Sequence, residues 1–318
     1  MIIKSLIVFS IIFNAIGLQG MSQKLDDAVV RDQSSVKKVV EASTTFEVPL
    51  PEIMARPKIE FGAPKAVANA KEYILVDSDT GTVLAGAGKN VRVPIASTTK
   101  IMSAVVALEN YKLDDVITVS SKATSQVPSV AYLRTGEEMT VENMLYCMLI
   151  PSGNDAAYAI AEQMNDPQDQ GISKFIDKMN EKAAMLGMKD THYEDPSGLS
   201  AEGYSSVYDL FLITRYAFKN PVFRKIVSES AWTAKNINNN IYHALKQSNR
   251  LITDNYPGAI GVKTGFTPEA GHCLVGAATR DGHTLISIVI NTFSTSPSAS
   301  ADESRRLLDW GFANVAWH

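Results

Sequence analysis

Two apolar, β-prone runs near the C-terminus, Gly271–Ala278 and Thr284–Ile290, flank a short Gly-punctuated turn. Runs of this length and composition read as strands. The stretch Gly261–Thr267 just before them is placed on or beside a sheet edge. Far upstream, Tyr73–Val76 and Thr82–Ala85 enclose the polar turn Asp77-Ser78-Asp79-Thr80-Gly81 and form a hairpin. Between these β regions the pattern turns helical. Apolar residues at 101, 102, 105, 106 and 108 follow Pro94 with helical spacing, which puts Ser97 in the first turn of an amphipathic helix. The almost wholly apolar Met144–Ile150 must be buried, and a second helix begins at Ala156 after the turn Pro151-Ser152-Gly153-Asn154-Asp155. A last helix is expected near 302–312.

The 318 residues, 45% hydrophobic and 20% charged, provide ample material for a core and exclude a disordered or fibrous chain. Thirty Lys+Arg against 34 Asp+Glu give a net charge of -4, without the basic excess that nucleic-acid phosphates require, so no nucleic-acid partner is expected. Cys147 and Cys273 sit in apolar surroundings and are expected as free core thiols, a single bridge being the other arrangement. Residues 5 to 23 carry no charge, Lys4 and Lys24 flank them, and the strictly apolar part ends near Leu18. This is the layout of a signal peptide over about residues 1–20, with an uncleaved anchor as the competitor. Residues 21–70 read as a linker because they lack a sustained period and carry Pro49, Pro51, Pro57 and Pro64. The folded domain is expected over 71–318.

Ser97 and Lys100 are three residues apart, so on a helix their side-chain ends can meet. A serine nucleophile needs a base, and a lysine serves if burial and a second cation depress its pKa. Taken alone the pattern also describes a Ser-capped helix start with an exposed Lys. The second patch presents Ser152 and Asn154 on one edge of a turn between buried helices, although either residue could merely cap the helix that follows. The third is Lys263-Thr264-Gly265, where a glycine lets another backbone come close. A phosphate loop at Gly86-Ala87-Gly88-Lys89 is rejected because Val83 and Asn90 stand where Gly and Ser/Thr are needed. The five histidines form no H-E-x-x-H or C-x-x-C pattern, so no metal or other cofactor is expected.

In this order, Ser97-x-x-Lys100, Ser152-x-Asn154 and Lys263-Thr264-Gly265 resemble the three motifs of penicillin-binding proteins and serine β-lactamases. The wider strings Ala96–Met102, Pro151–Ala157 and Gly261–Gly265 are similar to the low-molecular-mass D-alanyl-D-alanine carboxypeptidases, as are Leu186-Gly187-Met188 and Asp195-Pro196-Ser197-Gly198-Leu199. The resemblance spans about residues 70 to 315 and implies an α+β fold of the β-lactamase/DD-peptidase kind, an antiparallel sheet flanked by helices with a helical subdomain. It implies that Ser97 attacks the peptide bond between two D-alanines while Lys100 takes its proton. Ser152 would relay that proton, and Asn154 would orient Lys100 and the substrate amide. Lys263 and Thr264 would bind the terminal carboxylate beside Gly265, and the N–H groups of Ser97 and Phe266 would form the oxyanion hole. The implied partners are peptidoglycan stem peptides and covalent β-lactam inhibitors, in the periplasm or extracytoplasmic cell envelope.

Two departures accompany the likeness. Many carboxypeptidases of this kind carry an Arg before the last helix, whereas Thr292–Ser300 contains no cation. The chain also stops shortly after Leu307–Phe312, so no C-terminal membrane anchor is expected. A DD-endopeptidase that cuts peptidoglycan cross-links is the alternative, favoured by the missing Arg. A β-lactamase is disfavoured because no E-x-x-L-N string lies between Asn154 and Lys263.

Overall fold

In a computed structural model, residues 55–164 and 171–317 are described. In chain order the elements are β1 (Lys58–Ile59), β2 (Ala70–Asp77), β3 (Val83–Ala87), a 3-10 turn (Ala96–Thr99) running into α1 (Lys100–Asn110), β4 (Val116–Thr118), α2 (Ser121–Thr124) and β5 (Glu138–Thr140). Then follow α3 (Val141–Leu149), α4 (Asn154–Glu162), α5 (Gly171–Met185), α6 (Val207–Ala217) and α7 (Pro221–Ser228). The chain ends with β6 (Ala231–Lys235), β7 (Tyr242–Lys246), α8 (Arg250–Thr253), β8 (Ala259–Thr267), β9 (Gly271–Arg280), β10 (His283–Thr292), α9 (Ala299–Asn314) and β11 (Val315–Ala316). The expected α+β architecture is what the chain adopts.

Five strands form an antiparallel sheet in the order β3-β2-β10-β9-β8, which leaves β8 at an edge. The nearly continuous apolar runs of β2 and β10 are explained by cover on both faces. Successive side chains point to opposite sides of a strand. Ile74, Val76, Ile286, Ile288 and Ile290 therefore enter one core with Ile101, Val105, Leu210 and Ile213 of α1 and α6. Tyr73, Leu75, Leu285 and Val289 enter the other, beneath Leu307 and Leu308 of α9. Gly311 lets α9 approach, since a Cβ there would lie 2.9 Å from the Leu75 side chain. The largely buried α3 anchors the helical part, and Tyr146 stacks on Trp232 of β6 with ring centroids 4.0 Å apart. Cys147 and Cys273 are free and buried.

Three expectations need revision or fall away. Residues 58–70 belong to the fold and not to the linker: Lys58 pairs with Ala316 and Ile59 with Val315, and Ala66, Ala68 and Ala70 are buried under α9. Their partners lie some 240 residues downstream, as with the Trp310 indole N–H that donates to the Pro64 carbonyl at 2.7 Å. No local period announces such pairing. Ser97 sits in the 3-10 turn ahead of α1 instead of in the α-helix itself. The signal peptide and the rest of the linker, to residue 54, lie outside the described residues.

Candidate active site

The turn that carries Ser97 is held from three sides. Ala96 adopts φ +46°, a region that only a firmly constrained non-glycine residue occupies. Thr98 closes the turn by donating its hydroxyl to the Ile95 carbonyl at 2.7 Å. From β8, Gly265 presses against it: a Cβ at that position would stand 3.1 Å from the Ser97 nitrogen and 3.1 Å from the Ala96 Cβ. From the third side comes Gly198, at φ +82°, whose missing side chain leaves room for the Ala96 carbonyl. The sequence offers Gly265 as a place for a substrate backbone; the structure packs it against the Ser97 turn.

Lys100 is fully buried, and its ammonium nitrogen has three neighbours: Ser97 Oγ at 2.9 Å, Asn154 Oδ1 at 2.6 Å and the Ser197 carbonyl at 2.8 Å. Two of these can only accept. A neutral amine has two N–H bonds to give to the carbonyl oxygens of Asn154 and Ser197, and its lone pair then faces the Ser97 hydroxyl. Burial lowers the Lys100 pKa to about 7, against the opposing pull of Asp195 and Asp155. The acceptors are themselves fixed. The Asn154 amide donates to the Val127 carbonyl at 2.8 Å, which turns Oδ1 toward Lys100. The Ser197 carbonyl sits in a loop cinched by Asp195, whose carboxylate accepts from the backbone N–H groups of Ser197, Gly198 and Ser200 and from the Ser197 hydroxyl at 2.6–2.7 Å.

Ser152 stands at φ +68° between α3 and α4, and its hydroxyl accepts from Lys263 Nζ at 2.8 Å. Lys263, on β8, is also buried. Burial lowers its pKa well below the usual lysine range, and the nearby Lys100 lowers it further. Thr264 next to it shares a 2.7 Å hydrogen bond with the Ser248 hydroxyl. Phe266 is 59% exposed, with its ring centroid 4.6 Å from that of His272. Asp155 underpins the whole edge: its carboxylate accepts from the backbone N–H groups of Ala131 and Leu133, tying the loop that carries Val127 to the start of α4.

Thus Ser97, Lys100 and Asn154 share one hydrogen-bonded cluster, Ser152 and Lys263 form a contiguous pair, and Gly265 abuts the Ser97 turn. The roles of Ser248 and of the Ser197 carbonyl escaped sequence reasoning. A backbone oxygen leaves no residue-type signal, and Ser248 lies outside every motif. The Asp195-Pro196-Ser197-Gly198 turn was visible only as a landmark, although an Asp followed by Ser and Gly is the pattern by which a carboxylate caps its own loop.

A model of the D-alanyl-D-alanine carboxypeptidase family of peptidases matches residues 60–294. The chain belongs to this family. A D-alanyl-D-alanine carboxypeptidase of Streptomyces sp. strain K15 is 37% identical over 271 residues, covering 79% of this chain and 92% of that one. The DacF carboxypeptidase of Bacillus subtilis is 35% identical over 256 residues, and the match covers 78% of this chain and 64% of that protein. A D-alanyl-D-alanine endopeptidase of Pseudomonas aeruginosa is 33% identical over 263 residues, 81% of this chain and 84% of the other. Among solved structures, the Streptomyces K15 DD-transpeptidase superposes with a TM-score of 0.74 at 36% identity, covering 79% of this chain and 99% of that chain.

Proposed function

We propose that this chain, a D-alanyl-D-alanine carboxypeptidase by family, removes the terminal D-alanine from peptidoglycan pentapeptide stems through an acyl-enzyme on Ser97. The observation that carries the proposal is the buried Lys100 nitrogen, 2.9 Å from Ser97 Oγ and 2.6 and 2.8 Å from the carbonyl oxygens of Asn154 and Ser197. Ser97 Oγ attacks the carbonyl between the two D-alanines and its proton passes to Lys100. Developing negative charge on the carbonyl oxygen is taken by the N–H groups of Ser97 and Phe266, each donor being worth about 10²–10³ in rate in comparable sites. Ser152 passes the proton to the leaving amine, and water then releases the shortened peptide and restores Ser97.

Burial and mutual repulsion keep Lys100 and Lys263 from both holding a proton comfortably. An arriving substrate carboxylate resolves the competition by drawing the positive charge to Lys263, with the Thr264 hydroxyl as a second donor. Lys100 is then left neutral, as its role requires. The same acylation by a β-lactam ring would trap the enzyme. We place the protein, exported by its N-terminal segment, in the periplasm or extracytoplasmic envelope where peptidoglycan stems lie. No helix among the described residues is long and apolar enough to cross a membrane.

A second reading, cleavage of cross-links, is favoured by one specific feature: the segment 292–300, where many relatives supply an Arg for the carboxylate, contains none. Mass spectrometry of products from a mixture of pentapeptide monomers and cross-linked muropeptide dimers separates the two. Loss of one alanine from monomers, with dimers uncut, is the expected result. Conversion of dimers to monomers without that loss would assign endopeptidase activity instead.

A further inference from the structure

At the end of the sheet opposite Gly265, a cleft of about 540 Å³ opens between the C-terminus of α6, α7 and the β2–β3 turn. Its lining includes Ile260, three residues before Lys263 on β8, so it lies roughly 10 Å along the strand from the buried lysine. Four cations line it, Arg215, Lys219, Arg224 and Lys225, against the single carboxylate of Asp79. This concentration is local, because the whole chain carries net charge -4.

Among the described residues, none of the four forms an ion pair with a carboxylate. Arg215 donates to the backbone carbonyl of Asp79 and its guanidinium packs against Gly81, and these two contacts orient it. Lys225 lies 5.7 Å over the Trp232 ring. Lys219 and Arg224 are exposed at the rim. Lys219 lies 5.5 Å over the Tyr216 ring, and the two guanidinium forks and two lysines that line the cleft, with Ser78 beside them, suit an ion that presents oxygens in several directions. The volume falls in the range of small-molecule sites and exceeds what one inorganic anion fills.

We propose that this cleft binds a phosphate-bearing oligoanion, with two or more phosphate or phosphodiester groups spanning Arg215, Lys219 and Arg224. The site is independent of Ser97 and would hold the enzyme on a phosphate-rich envelope component while the catalytic face stays free.

The test is a titration of the full-length protein with sodium tripolyphosphate, followed by calorimetry, with sodium citrate as the carboxylate control. Saturable binding is expected with Kd below about 1 mM, weakening as salt rises from about 0.05 to 0.15 M. The double variant Lys219→Ala/Arg224→Ala should bind about tenfold or more weakly, while its rate of acylation by penicillin stays at the wild-type value. Absence of saturable binding, equal binding by the variant, or equally tight citrate binding would each overturn the proposal. A parallel arm with phosphatidylglycerol vesicles distinguishes the source of the phosphate: pelleting of the wild type but not the variant assigns a lipid headgroup, and retention in the supernatant despite tripolyphosphate binding assigns a soluble phosphodiester chain.

Discussion

In the proposed mechanism the chemistry turns on the fully buried Lys100. Its pKa of about 7 places its change of charge at neutral pH. The base form is the deprotonated one, so the acylation rate constant with a chromogenic cephalosporin should rise with pH through about 7 and fall about tenfold per unit below it. The variant Asn154→Asp tests the cause. It replaces the amide oxygen 2.6 Å from Nζ by a carboxylate, which favours the charged lysine and raises its pKa. The limb of the pH profile should move to higher pH and acylation at pH 7 should fall by roughly tenfold or more. A profile that does not move would show that another group sets it. At this scale much of the site was legible, because Ser97, Lys100, Asn154 and Lys263 belong to residue types that do this chemistry and stand at motif spacing. Ser248 and the Ser197 carbonyl were not, since they act through a hydroxyl outside any motif and through the main chain.

Among the elements, short turns position the site more than the long helices do. Gly198 at φ +82° packs under the Ala96 carbonyl, and any side chain there must displace the turn that carries Ser97. We expect Gly198→Ala to lower penicillin acylation by roughly a hundredfold, as misplacement of about 1 Å does elsewhere, and to lower the thermal midpoint. A variant that keeps full acylation would show that the turn is not held there. Asp155 makes a different contribution. Its replacement by Ala strands the buried N–H groups of Ala131 and Leu133, at a cost of about 2–4 kcal/mol measured by urea unfolding. The helix around Asn154 was readable from its apolar run and its polar start. The anchoring of the 127–133 loop was not, because Asp155 bonds to residues 22–24 positions earlier in a stretch with no regular pattern.

For the whole molecule, closure depends on the two ends of the described chain meeting. β1 pairs with β11, and the Trp317 indole donates to the buried carboxylate of Asp77 at 2.9 Å while its ring stacks 4.6 Å from His283. Trp317→Ala should destabilise the fold by about 1–3 kcal/mol and leave the penicillin acylation rate unchanged, because Asp77 lies at the end of the sheet away from Ser97. A drop in acylation rate with unchanged stability would contradict this division of labour. The strands themselves could be read from the sequence by their apolar runs, but the sheet order and the inclusion of residues 58–70 could not, because they depend on contacts across nearly the whole chain. The most direct test of the account as a whole is intact-protein mass spectrometry after incubation with benzylpenicillin, for wild type and Ser97→Ala. The account predicts that the wild type gains the mass of one drug molecule, mapped to the peptide containing Ser97, and that Ser97→Ala gains none; persistent covalent labelling of Ser97→Ala would contradict it.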